Sequence, residues 1–208
     1  RLDSTNIITP ELSIITNISI DHTNILGGDI KQIAKEKSGI IKNNIPVLIG
    51  RKQKETEKIF LNVCKIKKSK ILYAETDKNI KYNCDLKGDY QKENIDTSIT
   101  AINELKRQGW NISEENIING LRKCTSNTGI KGRWQILQKK PLTICDTAHN
   151  QEGIQAIIKQ IKNIKYKKLH FILGLVNDKE INSVLSLLPK KAIYYFCNAN
   201  INRSLNSK

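Results

Sequence analysis

Two kinds of hydrophobic pattern alternate along the chain. Short, mainly apolar runs predict β-strands, and segments in which apolar residues recur every three or four positions predict α-helices. The predicted strands cover residues 12–20, 45–49, 70–74, 142–145, 169–175 and 192–197. The predicted helices cover residues 29–38, 54–67, 91–107, 113–124, 155–164 and 179–188.

This order of elements predicts an α/β fold with an interruption in the middle. Strands that are apolar on both faces and alternate with helices are typical of parallel sheets covered by helices on both sides. At 91–107 and 113–124, however, two helices follow one another, and residues 125–132 are polar, contain two glycines and show no periodicity. We therefore expect two α/β parts that meet near residue 130.

The charge of the chain suggests a nucleic-acid partner, but the composition offers a simpler explanation. The net charge is +15 over 208 residues. Lys, Asn and Ile, whose codons are AT-rich, account for 29, 22 and 35 residues. The lysines are scattered, and aromatic residues, on which single-stranded bases stack, make up only 5%. We favour compositional bias and keep a basic nucleic-acid-binding module as the alternative.

The sequence disfavours a membrane-spanning protein and a protein whose cysteines bind a metal ion or form a redox pair. The sequence contains no apolar run of about 18 residues, the length a membrane-spanning helix needs. The five cysteines lie about 20 residues or more apart and form no CxxC pair, so we expect buried, reduced thiols. The sequence thus predicts a cytoplasmic protein.

The ends of two predicted strands carry residues suited to chemistry. Asp21 and His22 follow the first strand, and Asp146 and His149 follow the strand at 142–145. In open α/β sheets, ligands bind at the carboxyl ends of the strands. His22 could bind a metal ion or act as a base, or it could be a loop histidine without a function.

Three other positions are candidates for binding an anion or a nucleotide. Lys37 falls on the apolar stripe of its helix, where a buried ammonium group needs a reason, although its long side chain could simply reach the solvent. Asn94 lies at the start of a helix, in GDYQKEN, where anions bind favourably. Arg133, in the GRW segment, could hold a phosphate through its planar guanidinium or form a surface salt bridge.

Seven short motifs follow one another along the chain. They are RLDSTN at 1–6, ITNISIDHTNILG at 15–27, IAKEKSGIIK at 33–42, GDYQKEN at 88–94, IKGRW at 130–134, DTAHNQEG at 146–153 and GLVNDKE at 174–180. In their order and spacing they closely resemble the folylpolyglutamate synthase/dihydrofolate synthase family of the Mur ligase superfamily, and the resemblance covers essentially the whole chain. Four residues depart from the family pattern: Thr147 stands for Gly, Gln151 for Pro, Ile130 for Trp and Asp29 for Thr.

The resemblance implies a fragment with two incomplete domains. It assigns residues 1–127 to the back half of a Mur-ligase-type central ATPase domain, 128–133 to a linker and 134–208 to an incomplete Rossmann-like glutamate-ligase domain. The family's phosphate-binding loop, GTNGKGS, is absent, and the chain contains no methionine. We therefore expect a piece of a longer protein that is inactive by itself.

The resemblance also implies an activity and a set of roles. Members of the family add L-glutamate to folate or dihydropteroate: ATP phosphorylates the acceptor carboxylate, and the amine of glutamate attacks the acyl phosphate. The implied cofactors are ATP and Mg²⁺, and the implied state is a monomer. The implied roles are Mg²⁺ binding for His22, metal-site carbamylation for Lys37, ATP binding for Asn94, Arg133 and Asp146, and catalysis for His149.

Three alternatives remain open at this point. The chain could belong to a different ATP-dependent amide ligase of the same superfamily, although its DTAHN segment argues against this. It could be the basic nucleic-acid-binding module suggested by its charge. It could also be the inactive product of a truncated gene.

Overall fold

The computed structural model describes residues 2–20, 26–75, 82–176, 181–198, 200–202 and 204–206. A 3₁₀ helix, Ser4–Ile7, precedes the first strand. The strands are β1 Ser13–Ile15, β2 Val47–Ile49, β3 Ile71–Tyr73, β4 Gln135–Lys139, β5 Leu142–Cys145, β6 His170–Leu173 and β7 Ile193–Phe196. The helices are α1 Ile30–Ser38, α2 Lys54–Lys67, α3 Gln91–Arg107, α4 Glu114–Arg122, α5 Cys124–Thr128, α6 Gln151–Ile161 and α7 Ile181–Leu185.

The N-terminal half is built on a parallel sheet in the order β1-β2-β3. The central strand β2 is buried along its whole length, as its continuous apolar run predicts. Helices α1 and α2 pack together against the sheet, and the core between them includes Ile33, Ala34, Phe60 and Cys64. The parallel α/β arrangement expected for this half is therefore confirmed.

The starts of two helices are fixed by local sequence. Asp29 caps α1, because its Oδ1 accepts hydrogen bonds from the main-chain nitrogens of Lys31 and Gln32 at 2.6 and 2.9 Å. Ser113 and Asn116 form a reciprocal capping box at the start of α4. Both caps satisfy donors that a helix leaves unpaired in its first turn, so these two boundaries can be predicted from the sequence.

The C-terminal half contains two pairs of strands with different directions. Strands β6 and β7 pair in parallel, whereas β4 and β5 form an antiparallel hairpin. Helices α6 and α7 meet in a small core made by Ile154, Ile158 and Val184. Its parallel strands and covering helices follow the expected α/β class.

Two expectations, one for strand β5 and one for the stretch before it, are wrong. The sequence pattern does not predict strand β4, and β5 pairs with β4 in the antiparallel direction rather than within a parallel sheet. The reason is that only Gln135 of β4 is partly buried, so the strand has no apolar face to recognise. The stretch expected to be irregular begins with α5, in which Thr128 Oγ1 donates to the carbonyl of Cys124 at 2.7 Å before Gly129 ends the helix.

Among the residues that the structure describes, no helix is both long and apolar enough to cross a membrane.

The packing of α1 makes a prediction about stability. Ile33 is fully buried, so Ile33→Ala should leave a cavity and lower the free energy of unfolding by about 2–5 kcal/mol. The matched control is Ile66→Ala on α2, because the Ile66 side chain is 78% exposed and its loss should change stability by less than about 0.5 kcal/mol. Urea denaturation of both variants measures this, and equal losses would contradict the assignment of the core.

Candidate functional site

The carboxyl ends of β1 and β2 face the start of α6. Asn17 lies two residues after β1, Arg51 lies two residues after β2, and Glu152 is the second residue of α6. The two oxygens of Glu152 bind different side chains. Asn17 Nδ2 donates to Oε2 at 2.9 Å, and Arg51 Nη1 donates to Oε1. Side chains from the ligand-binding edge of one sheet thus hold a carboxylate of the other half.

The guanidinium of Arg51 also binds a second carboxylate. Its Nε and Nη2 donate to Glu93 Oε2, in the first turn of α3, at 2.9 and 2.6 Å. Burial lowers the pKa of Arg51, but its hydrogen bonds with Glu93 and Glu152 outweigh this effect and raise it. We call Arg51, Glu93 and Glu152 the Arg51 cluster; it joins the strand ends, α3 and α6.

The segment that carries Asn17 is held firmly. The side-chain amide of Gln53 accepts from the nitrogen of Ile18 at 2.8 Å and donates to its carbonyl at 2.9 Å. Just before Arg51, a Cβ atom on Gly50 would lie 2.5 Å from the carbonyl oxygen of Thr16. The close approach at Gly50 and the two hydrogen bonds of Gln53 fix the strand ends that present Asn17 and Arg51.

Asp146, at the end of β5, is bound from three directions. Its Oδ2 accepts from the hydroxyl of Tyr90 at 2.7 Å and from the main-chain nitrogen of Trp134 at 2.6 Å. Its Oδ1 accepts from the nitrogen of Ala148 at 2.9 Å. Tyr90 immediately precedes α3, so Asp146 connects the N-terminal half, the segment between the halves and its own turn.

The electrostatics of this site act on the phenol of Tyr90. Burial, followed by the hydrogen bond and the charge of Asp146, raises the pKa of Tyr90 well above its ordinary value. The positive charge of Arg133 opposes that shift. Tyr90 therefore stays a neutral donor to Asp146, with a cation close to both groups.

The segment from Gly132 to Trp134 adopts a strained course. Gly132 has φ +67°, and a Cβ atom there would collide with Thr147 Cγ2. Trp134 is buried, at 5% exposure, although its φ of +50° is unfavourable for a residue with a side chain. Between them Arg133 is exposed, and its Nη1 donates to Thr147 Oγ1. Such strain persists only where the surroundings enforce it, here through Asp146 and Thr147.

Lys37 reaches the same interface from α1. Its Nζ lies 3.5 Å from the main-chain oxygen of Asn17, whose side chain binds Glu152. The lysine is half-buried, whereas its stripe neighbours Ile33 and Ala34 are fully buried. The ammonium group of Lys37 therefore has a main-chain acceptor, the carbonyl oxygen of Asn17, next to the Arg51 cluster.

The other predicted residues lie around these contacts, with one exception. Asn94 is exposed one turn after Tyr90, and its Nδ2 donates to Gln91 Oε1 at 2.8 Å. His149 is exposed, and its Nδ1 lies 3.0 Å from the carbonyl oxygen of Thr147. Arg133 and Asp146 share the junction described above. His22, the predicted metal ligand, lies outside the described residues, within 21–25.

Sequence reasoning missed several residues of the interface, including Asn17, Arg51, Tyr90 and Glu152. A signal for Arg51 was present, since it follows the predicted strand at 45–49, where ligand-edge residues belong. Asn17 was hidden inside the strand predicted over 12–20, which is wrong in its length because β1 ends at Ile15. Within the described part of the chain, no three His, Cys, Asp or Glu side chains are grouped closely enough to hold a metal ion.

The conformation of Gly132 makes the next prediction. Gly132→Ala should lower the free energy of unfolding by about 1–3 kcal/mol, because the added methyl group meets Thr147 and alanine disfavours a positive φ. Gly120→Ala is the matched control: its Cβ would meet nothing within 4 Å, and alanine should stabilise α4 by about 0.5–1 kcal/mol. Chemical denaturation compares the two variants, and opposite signs are expected. Stabilisation by both would show that the junction is not constrained.

The chain is similar in sequence and fold to known proteins. A family model described as "Mur ligase, glutamate ligase domain" matches residues 132–208. A dihydrofolate synthase/folylpolyglutamate synthase from Buchnera aphidicola is 32% identical over 94% of this chain and 49% of its own length. An FPGS–AMPPCP–folate complex is 28% identical, with a TM-score of 0.79 over 93% of this chain and 52% of its own.

The fold is also shared with a more distant solved structure. Escherichia coli FolC in complex with DHPP and ADP matches 99% of this chain and 51% of its own length, at 24% identity and a TM-score of 0.80. The chain therefore spans about half the length of the curated relatives and solved structures that it matches.

Proposed function

The chain belongs to the folylpolyglutamate synthase/dihydrofolate synthase family, and we infer that it forms about half of an ATP-dependent ligase that joins L-glutamate to folate or dihydropteroate. The observation that carries this proposal is the junction at Asp146. There, Tyr90 before α3, Trp134 beside Arg133 and the end of β5 meet at one carboxylate. This contact brings residues from both halves of the chain together next to Arg133, whose guanidinium can bind phosphate oxygens.

We assign the two halves to two domains of such a ligase. Residues 1–127 would form part of the ATP-binding domain, 128–133 the linker and 134–208 part of the glutamate-ligase domain. The family match that begins at residue 132 supports this division. So does the end of α5 at Thr128, after which Gly129 and Gly132 both have positive φ.

We assign ATP to Asn94, Arg133 and Asp146. Arg133 is exposed, and its guanidinium can bind phosphate oxygens in a planar, two-point fashion. Asn94 offers an exposed amide in the first turn of α3, where the helix dipole favours a negative group. Asp146 is half-buried and already fixed by three donors, which suits a carboxylate that positions the nucleotide. FPGS in the solved complex holds the ATP analogue AMPPCP together with folate.

Lys37 and His22 are assigned to a divalent-metal site, with Lys37 as its carbamate. Carbon dioxide would add to the neutral amine of Lys37 with loss of a proton, leaving an anionic carbamate near Asn17. A carbamate supplies the oxygen ligands that Mg²⁺ prefers. The described donors alone do not complete such a site. Mg²⁺, when bound, would screen the charge on the phosphates.

His149 is assigned to the ligation step itself. Its ring nitrogen Nδ1 lies 3.0 Å from the carbonyl oxygen of Thr147, the residue that also binds Arg133. The exposed imidazole is thus held in the turn before α6, close to the group proposed to bind phosphate. From there it could exchange a proton with the attacking amine or the acyl phosphate.

We also propose that the ligase is a cytoplasmic monomer. All five cysteines, Cys64, Cys84, Cys124, Cys145 and Cys197, are free thiols, which is typical of proteins in a reducing compartment. The expectation that they are buried is wrong except for Cys64, since three are half-buried and Cys197 is exposed.

The role of Arg133 gives the test of this function. In the complete ligase, Arg133→Ala should lower the ligation rate by about a hundredfold, because an electrostatic stabiliser of the transferred phosphoryl group is lost. Arg133→Lys should restore little, since an ammonium cannot reproduce the planar fork. Thermal unfolding should change little, because the side chain is exposed. Phosphate release with folate and glutamate measures the rate.

Lys131→Ala is the matched control for Arg133, because it removes an exposed cation from the same linker. This variant should ligate at close to the wild-type rate. If Arg133→Ala behaves like Lys131→Ala, Arg133 does not belong to the site.

Lys37 gives an independent test of the metal-site assignment. In the complete ligase, Lys37→Ala should reduce turnover by about a hundredfold or more while leaving the fold intact, and added short-chain carboxylates should restore part of the rate. Lys35→Ala, on the exposed side of the same helix, is the control and should stay active. Initial rates with and without acetate measure the effect. Near-normal turnover of Lys37→Ala would mean that the lysine only reaches towards solvent.

A further inference from the structure

Helix α6 is attached to the N-terminal half at two points. Near its start, Glu152 accepts hydrogen bonds from Asn17 and Arg51. Eight residues later, or about 12 Å along the helix axis, Gln160 donates to the carbonyl of Lys87 at 2.9 Å and accepts from the nitrogen of Asp89 at 2.7 Å. The helix therefore lies along the other half with both of its ends bound.

The two attachments differ in chemistry. Gln160 is neutral and binds main-chain groups on either side of Gly88. The same loop also holds the chain before the linker, because Asp85 Oδ2 accepts from the nitrogen of Thr125 at 2.9 Å. The attachment at Glu152, in contrast, is made by side chains and depends on charge. The neutral contact lies near the end of α6, and the charged one lies near its start.

The Arg51 cluster has the properties of a contact that can open and close. Its three side chains are 38%, 56% and 34% exposed for Arg51, Glu93 and Glu152, so water can solvate each of them when the contact separates. Half-exposed ion pairs contribute modestly to stability and are weakened by salt. An enzyme whose site is made by two domains needs such a contact, since substrates must enter and products must leave.

We propose that Glu152 is a positioning residue, and that through Arg51 and Glu93 it forms an ionic latch holding the start of α6 against the strand ends of the other half. Closing the latch places the turn that carries Asp146 against Tyr90 and the first turn of α3, where Asn94 lies. The effect of the latch on nucleotide binding rests on the proposed function. The latch itself is inferred only from the contacts between the two halves.

The latch can be tested without any enzymatic activity by hydrogen exchange of backbone amides in the 208-residue chain. The amide of Asp89 reports on docking of the halves, because Gln160 of α6 binds it across the interface. Glu152→Gln keeps an oxygen for Asn17 but removes the charge that Arg51 binds. The Asp89 amide should then exchange about two- to fivefold faster. The amide of Val47, in the N-terminal core, should be unchanged.

The control is Glu57→Gln, which removes the same charge from a pair with Lys52 at 2.8 Å that lies within the N-terminal half alone. It should leave the exchange of the Asp89 amide unchanged. Raising the salt concentration should speed exchange of this amide in the wild type and have less effect in Glu152→Gln. If Glu152→Gln exchanges like the wild type, or no faster than Glu57→Gln, the latch is wrong.

A double-mutant cycle and a kinetic measurement separate positioning from general stability. Arg51→Gln combined with Glu152→Gln should speed exchange hardly more than either change alone, because both changes remove the same ion pair between the halves. In the complete ligase, Glu152→Gln should raise KM for ATP by about two- to fivefold and leave KM for the folate substrate unchanged. An unchanged KM for ATP would overturn the positioning role even if the exchange results hold.

Discussion

The carboxylate of Asp146 is the contact on which the arrangement of the two halves depends. It accepts hydrogen bonds from Tyr90, from the main chain of Trp134 and from Ala148. A buried or half-buried carboxylate needs such donors, because it loses water when the halves meet. Tyr90 of the N-terminal half must therefore stay close to Trp134 and Asp146 of the C-terminal half for the charge to be satisfied.

This requirement explains other features of the junction. The left-handed backbone of Gly132 and Trp134 turns the main-chain nitrogen of Trp134 towards Asp146, and the absence of a side chain at Gly132 makes room for Thr147. The contacts described between the halves are hydrogen bonds and an ion pair, in contrast to the apolar cores within each half. An interface made of hydrogen bonds and half-exposed ion pairs can separate and re-form, which an apolar one of the same size would resist.

Much of the fold could be predicted from the sequence, because apolar periodicity and helix caps are local signals. Helices α2 and α3 begin and end where the pattern predicts. Strand β4 could not be predicted, since its exposed residues carry no apolar alternation. Among the candidate site residues, Lys37 and Asp146 were recognisable from a buried stripe and a strand end. Glu152 was not, because an acidic residue in the first turn of a helix is ordinary until its partners are known.

The central claim is that one nucleotide site is made by both halves of the chain. It is tested most directly by titrating ADP with Mg²⁺ into the isotopically labelled complete ligase and following the amide signals of Asn94 and Asp146 by NMR. These residues lie on opposite sides of the interface, so a shared site predicts that both signals shift along one binding curve with a single Kd. Shifts confined to one half, or two different dissociation constants, would contradict the claim.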